Sequence, residues 1–358
     1  MISEVLKAFN LDGPETAYSL FGGGLINNTW KINSAKGDFI LQQINTDIFK
    51  SPGEIVKNIV SMKDYLDKTA PGYLFVGPIQ TSSGQFVLNI GGYTFRIFPF
   101  VPESMTIERV EYPKQAYQSA RQFGKFSRLL RDFDVADIHI PLRDFHNLNL
   151  RVEQYRKALQ LADKSRLEMA TWAIQEIDMH MDIAERYRDI LAEDVLKVRI
   201  FHHDTKISNV LLHRDTGLGI CVIDLDTVMP GYFISDVGDM MRTYLSPATE
   251  EETDFDRIAI RIEIFEAVYR GYMSEMGEVL TPPEHELFIY AGDFMIFMQV
   301  LRFLTDFLSG DIYYGATYPE HNLNRAKNQI HLLNKYTAQH SAFGDVIRMQ
   351  GLKQFEYE

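Results

Sequence analysis

The stretch Phe201–Asp226, FHHDTKISNVLLHRDTGLGICVIDLD, constrains this chain more than any other. Asp204 stands five residues before Asn209; an apolar run, a turn and a second apolar run then end at Asp224. An aspartate at the end of a buried strand needs a partner, and a metal ion is a good one. A tight loop and the strand pair after it thus offer three oxygen-bearing side chains together. Phosphoryl transfer on Mg2+ needs that set: one carboxylate to orient the attacking hydroxyl and take its proton, and one amide plus one carboxylate to hold the metal on the phosphates. Taken singly, Asp204 also reads as a turn or cap residue and Asn209 as a loop residue. The spacing of the three favours the catalytic reading. Asp226 falls on the same side as Asp224 if the strand continues, to assist the metal or the acceptor, or to cap the loop before Pro230-Gly231.

The chain has 358 residues, 46% hydrophobic and 24% charged, an ordinary globular balance that suits two domains or one two-lobed unit. Its net charge of −13 argues against a nucleic-acid partner. A phosphate site can still sit in an acidic protein, because its charge is local and a metal supplies part of it. The longest apolar stretch, Leu287–Leu308, is interrupted by Asp293, Arg302 and Asp306, so it reads as a core helix rather than a membrane span. The single cysteine, Cys221, sits in an apolar run and reads as a small buried hydrophobe. MISEVLKAFNLDG lacks a basic segment ahead of a long apolar one, and with one cysteine the expectation is a cytoplasmic protein. A monomer is plausible.

Residues 2–10 predict a short amphipathic helix. Gly22-Gly23-Gly24-Leu25-Ile26-Asn27-Asn28-Thr29 then leads into two strand-like runs, Thr29–Ile32 and Phe39–Ile44, so the glycines sit at the mouth of a hairpin. Backbone N–H groups there can approach a polyphosphate with no Cβ in the way. No GK[ST] ending follows, and no helix opens directly after the glycines, so neither a Walker A loop nor a dinucleotide fingerprint fits. A plain hairpin loop remains the alternative. Glu54–Thr69 predicts a helix with Ile55, Ile59, Met62 and Leu66 on one face. Tyr73–Pro78, Gln85–Ile90 and Tyr93–Phe98 predict strands. Phe98-Pro99-Phe100-Val101-Pro102 should end the sheet, since proline cannot continue a central strand. The lobe boundary is expected there, with residues 1–101 as a small sheet lobe with one helix and 102–358 as the helical lobe.

From about residue 109 the pattern is helical: Tyr112–Arg131, Val152–Leu161, Leu167–Leu191, Asp254–Glu275, Pro283–Leu308 and Leu323–His340. Strand signals there are confined to Val198–Phe201, Val210–Leu212 and Ile220–Ile223. The expected fold class is α+β, a small N-terminal antiparallel sheet lobe plus a larger helical lobe. Lys206, two residues from Asp204, reads as a γ-phosphate contact or a solvated surface lysine. Adjacent histidines on extended chain point apart, so His202 and His203 make a poor metal pair, and His202 reads as a brace for the loop. Arg302 in the apolar run FMIFMQVLRFLTDF is either paired with Asp306 at i,i+4 or an arm to the acceptor. Tyr313, Tyr314 and Tyr318 read as ring faces and hydroxyls for an acceptor, or as core residues.

His202-His203-Asp204…Asn209 with Ile223-Asp224 resembles the catalytic motif and metal aspartate of the aminoglycoside phosphotransferase/choline kinase superfamily, relatives of the protein kinases. FGGGLINNTW, FILQQIN, HHDTKISNVLL, VIDLDTVMPG, DVGDMMR and GDIYYGATYPEHNL are similar to the N-acetylhexosamine 1-kinase branch, over residues 21 to about 330. The resemblance implies a protein-kinase-like two-lobed fold. It also implies an ATP-dependent sugar kinase acting on the 1-OH of N-acetylglucosamine or N-acetylgalactosamine. Asp204 would then be the base with Lys206 beside it, and Asn209 and Asp224 would hold Mg2+. Gly22, Gly23, Gly24, Asn27, Thr29, Gln42, Phe98, Phe100 and Val101 would bind nucleotide, and Asp204, Asp226, Arg302, Tyr314 and Tyr318 the sugar. Asp236 and Asp239 resemble the aspartates that hold the catalytic loop. Two departures stand out. Gln42 takes the place of the strand cation of the wider kinase pattern, as in that branch, and Leu25 takes the place of a histidine that can reach the sugar. Other acceptors such as homoserine or choline, or a catalytically inactive nucleotide-binding relative, are the alternatives.

Overall fold

A computed structural model describes residues 1–22 and 27–349. The N-terminal part runs α1 (Ile2–Ala8), β1 (Ala17–Leu20), β2 (Asn28–Ser34), β3 (Gly37–Ile44), α2 (Pro52–Thr69), β4 (Leu88–Ile90) and β5 (Tyr93–Pro99). The strands make one antiparallel sheet in the order β1-β2-β3-β5-β4. Alternation on β2, β3 and β5 puts Ile32, Leu41, Phe95 and Ile97 on one face, and α1 closes it with Val5, Leu6 and Phe9. The face of α2 read from its periodicity is buried, but elsewhere. Ile55, Ile59, Met62 and Leu66 join the large core of the rest of the molecule. The first hundred residues therefore serve two cores.

The remainder carries β6 (Ser104–Met105), α3 (Pro113–Leu129), α4 (Leu148–Leu161), α5 (Lys164–Met179), α6 (Asp182–Ala192), β7 (Arg199–Phe201), β8 (Val210–His213), β9 (Gly219–Val222), β10 (Met229–Gly231) and α7 (Phe233–Tyr244). It ends with α8 (Ile262–Met276), α9 (Pro282–Glu286), α10 (Phe288–Leu308), α11 (His321–Thr337) and α12 (His340–Met349). The α+β division expected from the sequence is present. Helix α10 is long and apolar enough to cross a membrane, yet most of it is buried against α11, α7, α4 and α5. Each fully buried aliphatic or aromatic side chain in such a core contributes about 1.5–3 kcal/mol.

Several expected elements differ. Tyr73–Pro78 is not a strand: Tyr73 and Phe75 do alternate into the large core, but the segment joins no ladder among the described residues. Of Gln85–Ile90 only the last three residues pair, with β5. Leu167–Leu191 is two helices broken at His180–Met181, and Leu323–His340 ends at Thr337 before α12 begins. The helix expected from Asp254 starts only at Ile262, because Arg261 turns its side chain back to the carbonyls of Leu245, Tyr244 and Val110.

Candidate active site

Strand β7 delivers the chain into the loop 202–206, a single 3-10 turn Ile207–Asn209 follows, and β8 and β9 return it to Asp224. The loop is pinned by buried side chains from α7. Asp236 accepts from the backbone N–H of His202 at 3.1 Å and of His203 at 2.7 Å. Asp239 accepts from Thr205 N–H at 2.8 Å, and Tyr244 donates to the Thr205 carbonyl at 2.8 Å. Burial pushes Asp236 up to about 6, against the pull of those amides. The support role expected of both aspartates is therefore visible atom by atom.

His202 and His203 do point apart. His202 Nε2 meets the Ile223 carbonyl at 2.9 Å, and Thr227 Oγ1 donates to the His202 carbonyl at 2.7 Å, so the histidine braces the loop against the turn after β9. His203 adopts a left-handed conformation, with φ of 65°. Its Nε2 lies 3.2 Å from the Met229 carbonyl, and burial lowers its pKa to about 4, so it stays neutral. Its ring lies so close to β10 that a Cβ on Gly231 would sit 2.3 Å from it, which makes glycine a requirement there.

Asp204 is half-buried at the loop tip, with Lys206 Nζ 3.3 Å from its Oδ1. The Asp204 carboxylate in turn raises the Lys206 pKa. Asn209 donates from Nδ2 to the Asp204 carbonyl at 2.9 Å, which ties the two ends of the motif together. Asp224 is left-handed, φ 59° and ψ 60°, a conformation that the short polar side chain of aspartate tolerates. Its side chain is exposed to solvent. The protein packed around it, then the Asp226 and Asp204 carboxylates, raise its pKa. A carboxylate held beside two others is stabilised by a cation. Among the described residues no group of three or more His, Cys, Asp or Glu is poised for a metal. One Asn and one Asp nevertheless fit Mg2+, which keeps waters and takes its other oxygens from substrate phosphates.

Asp226 is not open to solvent. It is 2% exposed, and Arg96, itself 1% exposed, holds both of its oxygens, Nη1 at 2.5 Å and Nη2 at 2.8 Å. Asn27 Nδ2 reaches the same carboxylate at 3.2 Å, and Asn27 Oδ1 accepts from Asn45 N–H at 2.9 Å. Gln42 faces Arg96 across the β3–β5 ladder and accepts from its Nε at 3.0 Å and Nη2 at 2.8 Å. Thr29 is the register partner of Gln42 on β2. Sequence reasoning missed Arg96. Its signal was a lone cation in the apolar run Tyr93–Pro99.

Gly22, with φ 73°, is the one glycine of its run among the described residues; Gly23, Gly24 and Leu25 lie outside them. Phe98 lies 5.0 Å from the Arg96 guanidinium, and Phe100 makes an edge contact with Phe21. The Val101 carbonyl accepts from Ser104 Oγ at 2.6 Å.

On the helical side Arg302 is not paired with Asp306. That carboxylate accepts from the N–H groups of Tyr313 and Tyr314 at 2.7 and 2.9 Å and from Asn322, shaping the loop after α10. Arg302 bonds Gln299 Oε1 at 3.2 Å and lies among Phe145, Tyr314 and Tyr313, 5.4–5.9 Å from each ring. Among the described residues it has no carboxylate partner. Phe145 stacks next to His146, which touches His203 of the catalytic loop, so Arg302 is linked to that loop through side chains. Tyr314 Oη accepts from Gln299 at 3.3 Å. Tyr318 lies against His321 and borders a surface hollow with Arg166 and Asp311; among the described residues no ring or hydrogen-bond contact joins it to Arg302.

The geometry can be set beside known proteins. The model of the phosphotransferase enzyme family known as APH matches residues 17–258. An aminoglycoside phosphotransferase from Alicyclobacillus acidocaldarius superposes with a TM-score of 0.64 at 15% identity, over 96% of this chain and 95% of that one. Spectinomycin phosphotransferase APH(9)-Ia, in complex with ADP and spectinomycin, gives 0.60 at 16%, over 94% and 97%. Choline kinase from Cryptosporidium parvum gives 0.56 at 13%, over 98% of each chain. These likenesses establish the kinase-like two-lobed fold. The chain belongs to the APH phosphotransferase enzyme family and is a small-molecule phosphotransferase.

Proposed function

We propose that the protein transfers the γ-phosphoryl group of ATP to a sugar hydroxyl, the anomeric 1-OH of an N-acetylhexosamine. The observation that supports the phosphoryl-transfer step is the pinned loop: buried Asp236 and Asp239 fix the backbone from which Asp204 projects, with Asn209 tied to it. Asp204 accepts the hydrogen bond of the acceptor hydroxyl and takes its proton as the new P–O bond forms. Lys206 sits where it can pass from Asp204 to the transferring phosphoryl group. Asn209 and Asp224 would hold Mg2+, which supplies charge neutralisation on the phosphates. Positioning and electrostatics do most of the catalysis.

On the nucleotide side Gly22, Gly23, Gly24, Asn27, Thr29 and Gln42 would face the phosphates, with adenine near Phe98, Phe100 and Val101. Residues 1–101 and 102–358 then act as the two lobes, hinged at 98–102. On the acceptor side Arg302 and Tyr314 offer donors and ring faces, Tyr318 stands further out, and Asp226 reaches an acceptor only by exchanging its bond to Arg96. An arginine without a carboxylate partner suits acceptor oxygens and disfavours a cationic alcohol such as choline. A cytoplasmic monomer is the simplest setting.

The test is ADP release from ATP and Mg2+ with a panel of N-acetylhexosamines, other sugars, homoserine, choline and aminopropanol. Turnover on N-acetylhexosamine with an acid-labile product supports the reading. Turnover only on an amino alcohol replaces the acceptor, and ATP binding with no turnover on any acceptor replaces the enzyme by a nucleotide-binding relative.

A further inference from the structure

Arg96 stands at a place where a cation is costly. It is in the middle of an apolar strand, buried, with its guanidinium carbon 5.0 Å from the centre of the Phe98 ring. A buried charge persists only when its donors are satisfied, and here they are divided between two partners. Gln42, from the neighbouring strand of the same sheet, takes Nε and Nη2. Asp226, from the turn that follows the metal-side aspartate, takes Nη1 and Nη2 as a bidentate pair. Gln42 carries no charge of its own, so it orients the arginine without competing for it.

Two segments distant in sequence converge on Asp226 in the Asp224–Thr227 turn. They are β5 through Arg96 and the residue just ahead of β2, Asn27. Asn27 is itself anchored to the end of β3 by the Asn45 amide. The turn continues into the catalytic loop through Thr227 Oγ1 and the His202 carbonyl. The small core of the sheet is closed by α1 and is separate from the large core. The Arg96–Asp226 clasp is thus a direct polar link from the sheet that carries the glycines to the turn that carries Asp224.

We propose that Arg96 is a positioning residue for phosphoryl transfer: braced by Gln42, it clasps Asp226 across the cleft and sets the spacing between the glycine-bearing sheet and the metal-side turn. The proposal rests on the kinase reading above for its catalytic consequence, but the clasp itself can be measured without turnover. A buried ion pair that served stability alone would leave the geometry of the cleft unchanged when both charges are removed. A clasp that sets geometry loses it whichever partner goes.

The experiment compares Arg96→Met, Arg96→Lys, Asp226→Asn and the Arg96→Met/Asp226→Asn pair with the unaltered protein. The first readout is amide hydrogen exchange of the full chain without nucleotide. Exchange of residues 27–34 should rise about tenfold or more in Arg96→Met while residues 199–210 keep their protection. The second is steady-state kinetics. The value of kcat should fall about 100-fold, with KM for ATP changing much less, as expected when reacting groups are misplaced rather than unbound. The pair should be no worse than either single variant, because all three remove one clasp. Arg96→Lys, which keeps the charge and loses the fork, should recover part of both readouts. Exchange and kcat within about twofold of the unaltered protein in Arg96→Met would overturn the proposal. So would multiplying effects in the pair, which assign Arg96 a role independent of Asp226. If Arg96→Met does not fold, Arg96→Lys decides: intermediate values support the clasp and unchanged values overturn it. An unaltered protein with no turnover on any acceptor removes the kinase reading, and the exchange arm still decides the clasp.

Discussion

Loop 202–206 and the β1–β5 sheet meet near Asp226 and are held in different ways. Loop 202–206 is fixed from beneath by Asp236, Asp239 and Tyr244, all buried on α7, which belongs to the large core, and its own buried His202 braces it against the Ile223 carbonyl. The sheet has its own small core under α1, and its polar link to the cleft floor runs through Asn27 and Arg96 to Asp226. Loop 202–206 is over-determined, and the sheet has fewer polar ties. Reaction chemistry tolerates little displacement, whereas nucleotide entry and release require a cleft that opens.

The largest break in that comparison should come from the loop's anchor. Asp236→Ala leaves two buried N–H groups without acceptors, at a cost of about 2–5 kcal/mol in stability, and it should abolish measurable turnover. Thermal unfolding and ADP release check both; a stable, active variant would show that the loop holds itself.

A pH profile sharpens the same point. His203 is neutral in the fold, with a pKa near 4 against about 6.5 in the unfolded chain, so its contribution to stability is present above 6.5 and lost as pH falls through 4. His203→Asn, which keeps a residue tolerant of the left-handed backbone, should lower stability at pH 7. It should also flatten the acid loss between pH 6.5 and 4 by up to about 3 kcal/mol relative to the unaltered protein. Equal slopes in the two proteins would remove His203 as the titrating group.

Arg302→Met should raise KM for the acceptor about 10- to 100-fold and leave KM for ATP unchanged, since its neighbours are Gln299, Phe145 and Tyr314. A change in ATP KM instead would move Arg302 to the nucleotide side. Tyr318→Phe, at a half-exposed ring away from Arg302, should alter acceptor kinetics by no more than about twofold.

The division into a sheet part and a helical part was legible because period-2 and period-3.6 patterns occupy different halves of the chain. The Asp204–Asn209–Asp224 spacing was legible because its residues are close in sequence. What failed depended on partners far away. Tyr73–Pro78 has a strand's alternation and joins no ladder among the described residues. Arg302 and Asp306 have the spacing of an ion pair, yet Asp306 is used by the backbone of Tyr313 and Tyr314. Asp226 lies two residues from Asp224, yet its partner is 130 residues away. Arg96 was missed for the same reason, since its role exists only once β5 and the 225–227 turn are brought together.

The most direct measurement is turnover of Asp204→Asn, made beside ATP affinity on the same preparation. Asp204 as the base predicts kcat lower by about 1,000-fold or more, with ATP affinity within about threefold and an unchanged fold. Turnover retained within about tenfold would contradict the assignment of Asp204.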